Sequence, residues 1–303
     1  MAHGPDRDKW ISGQTSDLDP RTTPARPDIA YEALKGKIEA TRFTRGKVMT
    51  ISTPLADLRY GPRNSEGLLT QGLLGEQFRV LEGHAGWAFG QLLSDGYVGY
   101  LEEKHLTSHY PEANYRVAVP LTHIYPVPDL KTPIRMALPF GAKLCANPDD
   151  AREGFAEVKG LGWVYAKHLV ALGTRIEDFV KTAMGFLNSP YLWGGRSGSG
   201  LDCSALVQLA IMAAGIPCPR DTDQQQKVIG HSISNVPEVA MARTGDLVFF
   251  PGHVGFLVAE NKILHANAFH MRVTIDDVNE VAERVKKDHP TGILDIRRLK
   301  IKT

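Results

Sequence analysis

Very little net charge separates the two signs in this chain: 35 Lys and Arg stand against 34 Asp and Glu, a formal balance of +1. That near-cancellation gives no electrostatic reason to expect nucleic acid or an anionic membrane as partner. Long apolar runs are missing as well, with nothing approaching the roughly 18–20 residues that span a bilayer. The N-terminal stretch "MAHGPDRDKWISGQTSDLDPRTTPARPD" has no apolar core of the kind a secretory signal needs. The expected location is therefore the cytoplasm, or the periplasm if a signal has been removed. Cysteine is scarce: Cys145, Cys203 and Cys218 are odd in number and form no CxxC pair. This argues against a disulfide framework and against a structural zinc site. What is present is an ordinary globular composition, 43% hydrophobic and 23% charged, over 303 residues. A chain of that length usually divides into two or three domains.

Residues 1 to about 28 are polar and rich in Pro, Asp and Arg, expected as a mobile extension or an arm lying over a domain. Residues 29–40 suit a short helix or a lead-in strand. A repeat follows. "PLADLRYGPRNSEGLLTQGLLGEQFRVLEGHAGWAFGQLLSDGYVGYLEEKHL" and "PLTHIYPVPDLKTPIRMALPFGAKLCANPDDAREGFAEVKGLGWVYAKHL" both begin Pro-Leu, at Pro54 and Pro120. Both then pass a glycine-marked turn, at Gly75 or Gly141, and a Gly-Tyr-Val or Gly-Trp-Val stretch, and both end in Lys-His-Leu. Units of this size with short alternating strands and Gly/Pro turns suggest two small all-β barrels. From Thr174 the pattern changes. Ile176, Phe179, Val180, Ala183, Met184 and Leu187 have the spacing of an amphipathic helix. "DCSALVQLAIMAAG" is apolar nearly all round and ends in Gly215, the pattern of a buried helix. "GDLVFF", "HVGFLVA" and "KILHANA" are short strands between turn residues. The expected architecture is α+β, helices packed on an antiparallel sheet, behind two β-barrels. Its segments are 1–47 (extension), 48–110 and 111–173 (barrels), and 174–303.

Cys203 opens the buried helix, after a loop with glycines at 194, 195, 198 and 200. Unsatisfied N–H groups at a helix start favour thiolate over thiol. By itself such a cysteine is more often structural, and Cys145 and Cys218 keep that reading. Two histidines shift the balance. His253 starts a strand, and His265 lies on the next strand beyond a turn near Glu260-Asn261. A hairpin would set the two imidazoles on neighbouring strands, where one can orient the other. Nucleophile, base and orienter are then all present.

These residues carry a resemblance. The run Tyr191–Leu206, then "GDLVFFPGHVGF", then "LHAN", resembles the NlpC-type family of bacterial cell-wall cysteine peptidases, which are papain-like, over roughly residues 174–300. The two repeats resemble the bacterial SH3 domains that precede this catalytic domain in one subgroup. One departure is Ala205, where the family commonly has glycine; a methyl group inside a helix is tolerated. The resemblance implies Cys203 as nucleophile, His253 as base and acid, His265 as orienter and Tyr191 beside the thiolate. The other reading of Tyr191 is an aromatic packed on Trp193. No metal or organic cofactor is implied, and His253 and His265 lack the carboxylate and short spacing of familiar zinc motifs.

The subgroup with SH3 domains in front resembles γ-D-glutamyl-L-diamino acid endopeptidases of the dipeptidyl-peptidase VI type, which act on murein stem peptides with a free N-terminal L-Ala. A free ammonium calls for carboxylates at close range. The resemblance points to Glu66 and Tyr100 of the first repeat, where the subgroup's SH3 domain closes over the substrate amine; the second repeat lacks the acid. "PRDT" resembles the family's Pro-Arg-Asp-Ser and brings in Arg220, Asp221 and Thr222. Asp202 reads either as helix N-cap or as substrate contact, Asp221 as contact or cap, Glu66 as contact or surface residue, and Ser204 as contact or support of the helix start. The expected function is hydrolysis of small, already released murein peptides in cell-wall recycling, without nucleic acid or membrane. Alternatives are an N-acetylmuramoyl-L-alanine amidase or other acyl-transfer activity on the same fold, and a non-catalytic wall-binding SH3 protein.

Overall fold

Alternating burial organises the first half of the chain. In the strand Leu55–Arg59, Ala56 and Leu58 turn inward while Leu55, Asp57 and Arg59 stay partly open, the period of two that a half-buried strand requires. The structure, a computed structural model, describes residues 18–233 and 239–299. It falls into two units, Met1–Leu172 and Gly173–Thr303.

In the first unit the segment from residue 18 is an arm laid on the first repeat. Its strands Ala25–Arg26 and Ile29–Tyr31 pair antiparallel, and Arg42–Thr44 joins Ile29–Tyr31 in parallel. Ile29 is fully buried among Leu81, Phe89 and Val98 of the repeat. The expected helix or lead-in over 29–40 proves to be the strand Ile29–Tyr31 and one 3-10 turn, Glu32–Leu34. Residues 1–17 of the expected extension lie outside the described residues.

The first repeat forms an antiparallel seven-stranded sheet. In spatial order its strands are Leu106–Thr107, Lys47–Ile51, Gln77–His84, Trp87–Leu92, Val98–Glu102, Leu55–Arg59 and Leu68–Leu73. They enclose a core of Ile51, Leu58, Phe78, Leu92 and Leu101. The second repeat has eight short strands, arranged as a three-stranded and a five-stranded sheet around Val117, Ile124, Leu138, Leu144 and Val164. The Lys-His-Leu marks are structural in both: the 3-10 turns Glu103–His105 and Ala166–His168 each lead into a closing strand. Counting back from those turns sets Trp163 where the first repeat has Tyr100.

The second unit is α+β. Its helices are α1 (Phe179–Met184), α2 (Cys203–Ala213), α3 (Thr222–Val228) and α4 (Val278–Val285). The helix α1 is shorter than the apolar pattern over 176–187. Asp178 caps it, its carboxylate accepting the Lys181 N–H at 2.8 Å, and the chain leaves the helix at Gly185. Leu187 consequently sits outside the helix and is 37% exposed. The helix α2 is buried on nearly every side. It stops before Gly215, whose φ of +81° is a left-handed conformation that suits glycine. The sheet is antiparallel, in the spatial order His231–Ser232, Asp295–Arg298, Leu247–Phe250, His253–Ala259, Lys262–Asn267, Arg272–Asp277. The helix α2 packs on His253–Ala259 and Lys262–Asn267, the two strands that carry the histidines.

Candidate active site

The start of α2 is built around one carboxylate. Asp202 is the N-cap, and its Oδ1 accepts the Ala205 N–H at 2.9 Å while its Oδ2 accepts the Gly194 N–H at 2.9 Å. Arg220 closes on the same group with both terminal nitrogens, at 2.9 and 2.7 Å. The Ser204 hydroxyl donates to Asp202 Oδ1 at 3.2 Å and accepts from Arg220 at 2.8 Å. A bidentate, charge-assisted pair is the arrangement in which a buried carboxylate is tolerable, and Arg220 is only 1% exposed. Five donors on two oxygens saturate Asp202. Asp202, Ser204 and Arg220 are thus committed to one another and to the loop Gly194–Asp202, the cap-and-support side of the alternatives. Asp221 starts α3 in a capping box, its N–H donating to Gln224 Oε1 at 3.4 Å. Gln225, fully buried, donates to the carbonyls of Ser204 and Pro219, both at 2.9 Å, and so ties α3 to the start of α2. Nothing in the sequence marked that glutamine beyond its place in a polar run.

This frame holds Cys203 as the first residue of α2, 7% exposed. Its Sγ lies 3.8 Å from Thr222 Oγ1, and the backbone N–H of Val254 hydrogen-bonds the sulfur. Val254 follows His253 directly in the strand His253–Ala259. Tyr191 is half-buried beside them. Burial pushes its hydroxyl pKa above the ordinary phenol value, and Cys203 and Asp202 add to the rise. Trp193 is 71% exposed, so a buried Tyr191–Trp193 pair does not describe this corner.

Three adjacent strands carry the rest. Phe256 faces Leu264, so His253 lies before that pair and His265 beyond it, a diagonal placement on one hairpin. The turn passes through Asn261 in a left-handed conformation, φ +53°. His253 Nε2 and His265 Nδ1 are 2.7 Å apart. The next strand adds a residue that sequence reading missed: Asp276 Oδ2 stands 3.3 Å from His265 Nε2. A signal for it existed, since Val273 and Ile275 alternate with Thr274 and Asp276, but Arg272–Asp277 was not read as a strand. Glu66 and Tyr100 belong to the first unit. The Glu66 carbonyl and the Tyr100 backbone both meet Arg59, and the Tyr100 hydroxyl accepts from Arg26 at 2.8 Å.

Electrostatics correct one expectation. The helix start does not win at Cys203: burial, then the Asp202 charge, push its thiol up to about 11. Thr222, the Val254 N–H and Arg220 pull the other way without prevailing. Burial, then the neighbouring His265 and Arg284, push His253 down to about 3. Both shifts favour the uncharged forms, a neutral thiol at Cys203 and a neutral imidazole at His253. Alkylation of Cys203 by iodoacetamide, resolved by mass spectrometry, is expected to rise continuously from about pH 6 to about pH 10, because only the thiolate reacts. A rate already level at acidic pH would reveal a preformed ion pair and contradict this.

Two segments of the chain match known domain families. Residues 188–289 match the NlpC/P60 family, and residues 58–106 match the bacterial dipeptidyl-peptidase Sh3 domain. The chain carries an NlpC/P60 domain. Its relatives include the dipeptidyl-peptidase 6 of Lysinibacillus sphaericus, 33% identical over 123 residues, which is 41% of this chain and 44% of that protein. The γ-D-glutamyl-L-lysine dipeptidyl-peptidase of Bacillus cereus is 25% identical over 256 residues, 71% of this chain and 72% of that one. The crystal structure of an NlpC/P60 family protein from Bacillus cereus superposes with a TM-score of 0.68 at 20% identity, covering 83% of this chain and 99% of that one, a likeness of fold. The NlpC/P60 domain here includes Cys203, His253, His265 and Asp276, and the matched Sh3 domain includes Glu66 and Tyr100.

Proposed function

We propose that the chain is a cysteine peptidase that hydrolyses the γ-D-glutamyl–diamino acid bond of murein stem peptides bearing a free N-terminal L-Ala. The observation that carries the chemistry is the 2.7 Å contact between His253 and His265 on strands packed against the helix that begins with Cys203. With Nε2 of His253 engaged by His265, its Nδ1 is the nitrogen left to exchange a proton with the thiol. Attack of Sγ on the γ-amide carbonyl passes the thiol proton to His253, which returns it to the leaving amine as the thioester forms. Water, deprotonated by the same imidazole, then releases the γ-D-glutamyl product. The Cys203 N–H at the first turn of α2 is a donor for the oxyanion. Nothing in these steps calls for a cofactor.

The substrate rests on the relatives. A dipeptidyl-peptidase removes two residues from a free amino terminus, and the Bacillus cereus relative is named for a γ-D-glutamyl-L-lysine bond. Residues 111–173 we read as a second SH3-like barrel, since short antiparallel strands and the Lys-His-Leu turn recur there. A requirement for a free alanine amine would restrict the enzyme to released, already trimmed peptides, so the role we propose is peptide recycling. Mass spectrometry of products from L-Ala-γ-D-Glu-diamino acid peptides, with the alanine amine free, acetylated or joined to a muramyl group, tests the proposal. Cleavage after D-Glu in the free-amine peptide alone is expected. Cleavage of the muramyl–alanine bond would instead make the protein an amidase.

A further inference from the structure

The carboxylate of Asp276 faces three groups from three directions: His265 Nε2 at 3.3 Å, His270 Nε2 at 3.2 Å and Arg284 Nη1 of α4 at 3.6 Å. Arg284 in turn lies over the Phe269 ring, 3.7 Å from its centroid. Burial pushes the Asp276 pKa up, but His265, His270 and Thr274 outweigh it and hold the carboxyl below its ordinary value, so it is ionised at neutral pH. An ionised carboxylate only accepts. The His265 ring is 1% exposed, and its Nε2 has no well-aligned hydrogen bond among the described residues. Its compensation is the Asp276 charge. A bare lone pair at Nε2 would oppose that charge, so the proton sits on Nε2.

The rest follows ring by ring. With its proton on Nε2, a neutral His265 presents a bare Nδ1, and the 2.7 Å contact then requires the His253 proton on Nε2. That leaves His253 Nδ1 bare, the tautomer able to take the Cys203 proton. We propose that Asp276 is a positioning residue that sets the tautomers of both histidines and thereby makes His253 a base. Asp276 acts through His265 and itself accepts no proton. When S–H is broken and N–H formed at His253, the carboxylate two rings away offsets the new positive charge. This inference rests on the catalytic roles proposed above for Cys203 and His253.

The test separates positioning from a merely structural part. In Asp276→Asn the amide can turn its NH₂ toward His265 Nε2, which moves the His265 proton to Nδ1 and the His253 proton to Nδ1, closing the base. Asp276→Ala leaves the choice of tautomer open. Positioning therefore expects the isosteric Asn variant to be at least as damaged as the Ala variant, with kcat lowered on the order of 10²- to 10⁴-fold and KM nearly unchanged. A structural role expects Asn to be the milder change. Asp276→Glu should recover part of the rate. Iodoacetamide reaction at Cys203 near neutral pH should fall in the same order. ¹⁵N NMR of the unsubstituted protein should show both histidines protonated at Nε2. The last two readouts need no substrate, so a wrong choice of peptide leaves them intact. A His265 protonated at Nδ1 in the native protein, or a folded Asp276→Asn variant with undiminished thiol reactivity, would overturn the proposal.

Discussion

Cys203→Ala is expected to lower kcat by about 10⁴-fold or more while the protein remains folded, because the proposed thioester forms on its sulfur. The structural cost is small. The side chain adds one atom in contact with Thr222 and the Val254 N–H, and alanine is the best helix former at the first turn of α2. Circular dichroism and the unfolding transition of the variant should overlay those of the parent. Peptide hydrolysis should vanish, and binding of the uncleaved peptide should persist in calorimetry. Residual turnover within about tenfold of the parent would move the chemistry away from this residue.

The second large effect concerns Arg220. Its guanidinium is 1% exposed and holds both oxygens of Asp202. Arg220→Leu leaves that carboxylate buried with its main countercharge gone, a change that typically costs about 3–5 kcal/mol. The neighbouring donors, the N–H groups of Gly194 and Ala205, soften the loss but carry no net charge. Because Asp202 also fastens the glycine loop, the variant should lose activity along with stability. Urea unfolding should be followed with separate signals for the two units, since a chain of two units need not unfold in one step. Unfolding of the second unit within about 1 kcal/mol of the parent would show that the pair does not hold the helix start.

Both predictions concern residues visible in the sequence, though not for the same reason. Cys203, His253 and His265 stood out because a nucleophile at a helix start and two imidazoles on a hairpin are rare chemical types in ordered local contexts. The repeats were legible for a similar reason: Pro-Leu, glycine turns and Lys-His-Leu are punctuation set by backbone geometry, and both 3-10 turns appear at those marks. Asp202 reads in the sequence as helix cap or substrate contact and Arg220 enters through "PRDT", yet the two side chains hold each other. Two opposite charges eighteen positions apart do not show that they pair until α2 and α3 are packed. The helix over 176–187 was read too long because periodicity counts apolar residues on one face, whereas the end is decided by a cap, here Asp178.

From the order of residues alone came the kinds of groups available, the local elements that present them, and the division into β-rich repeats and an α+β segment. These follow from short-range rules, namely side-chain period, turn chemistry and helix starts. Tertiary structure alone decided that Asp202 is spent on Arg220, that burial favours the neutral forms of the Cys203 thiol and the His253 imidazole, and that Asp276 stands behind His265. Each depends on distances between strands and helices remote in sequence and on exclusion of water, and neither quantity is encoded in any one segment.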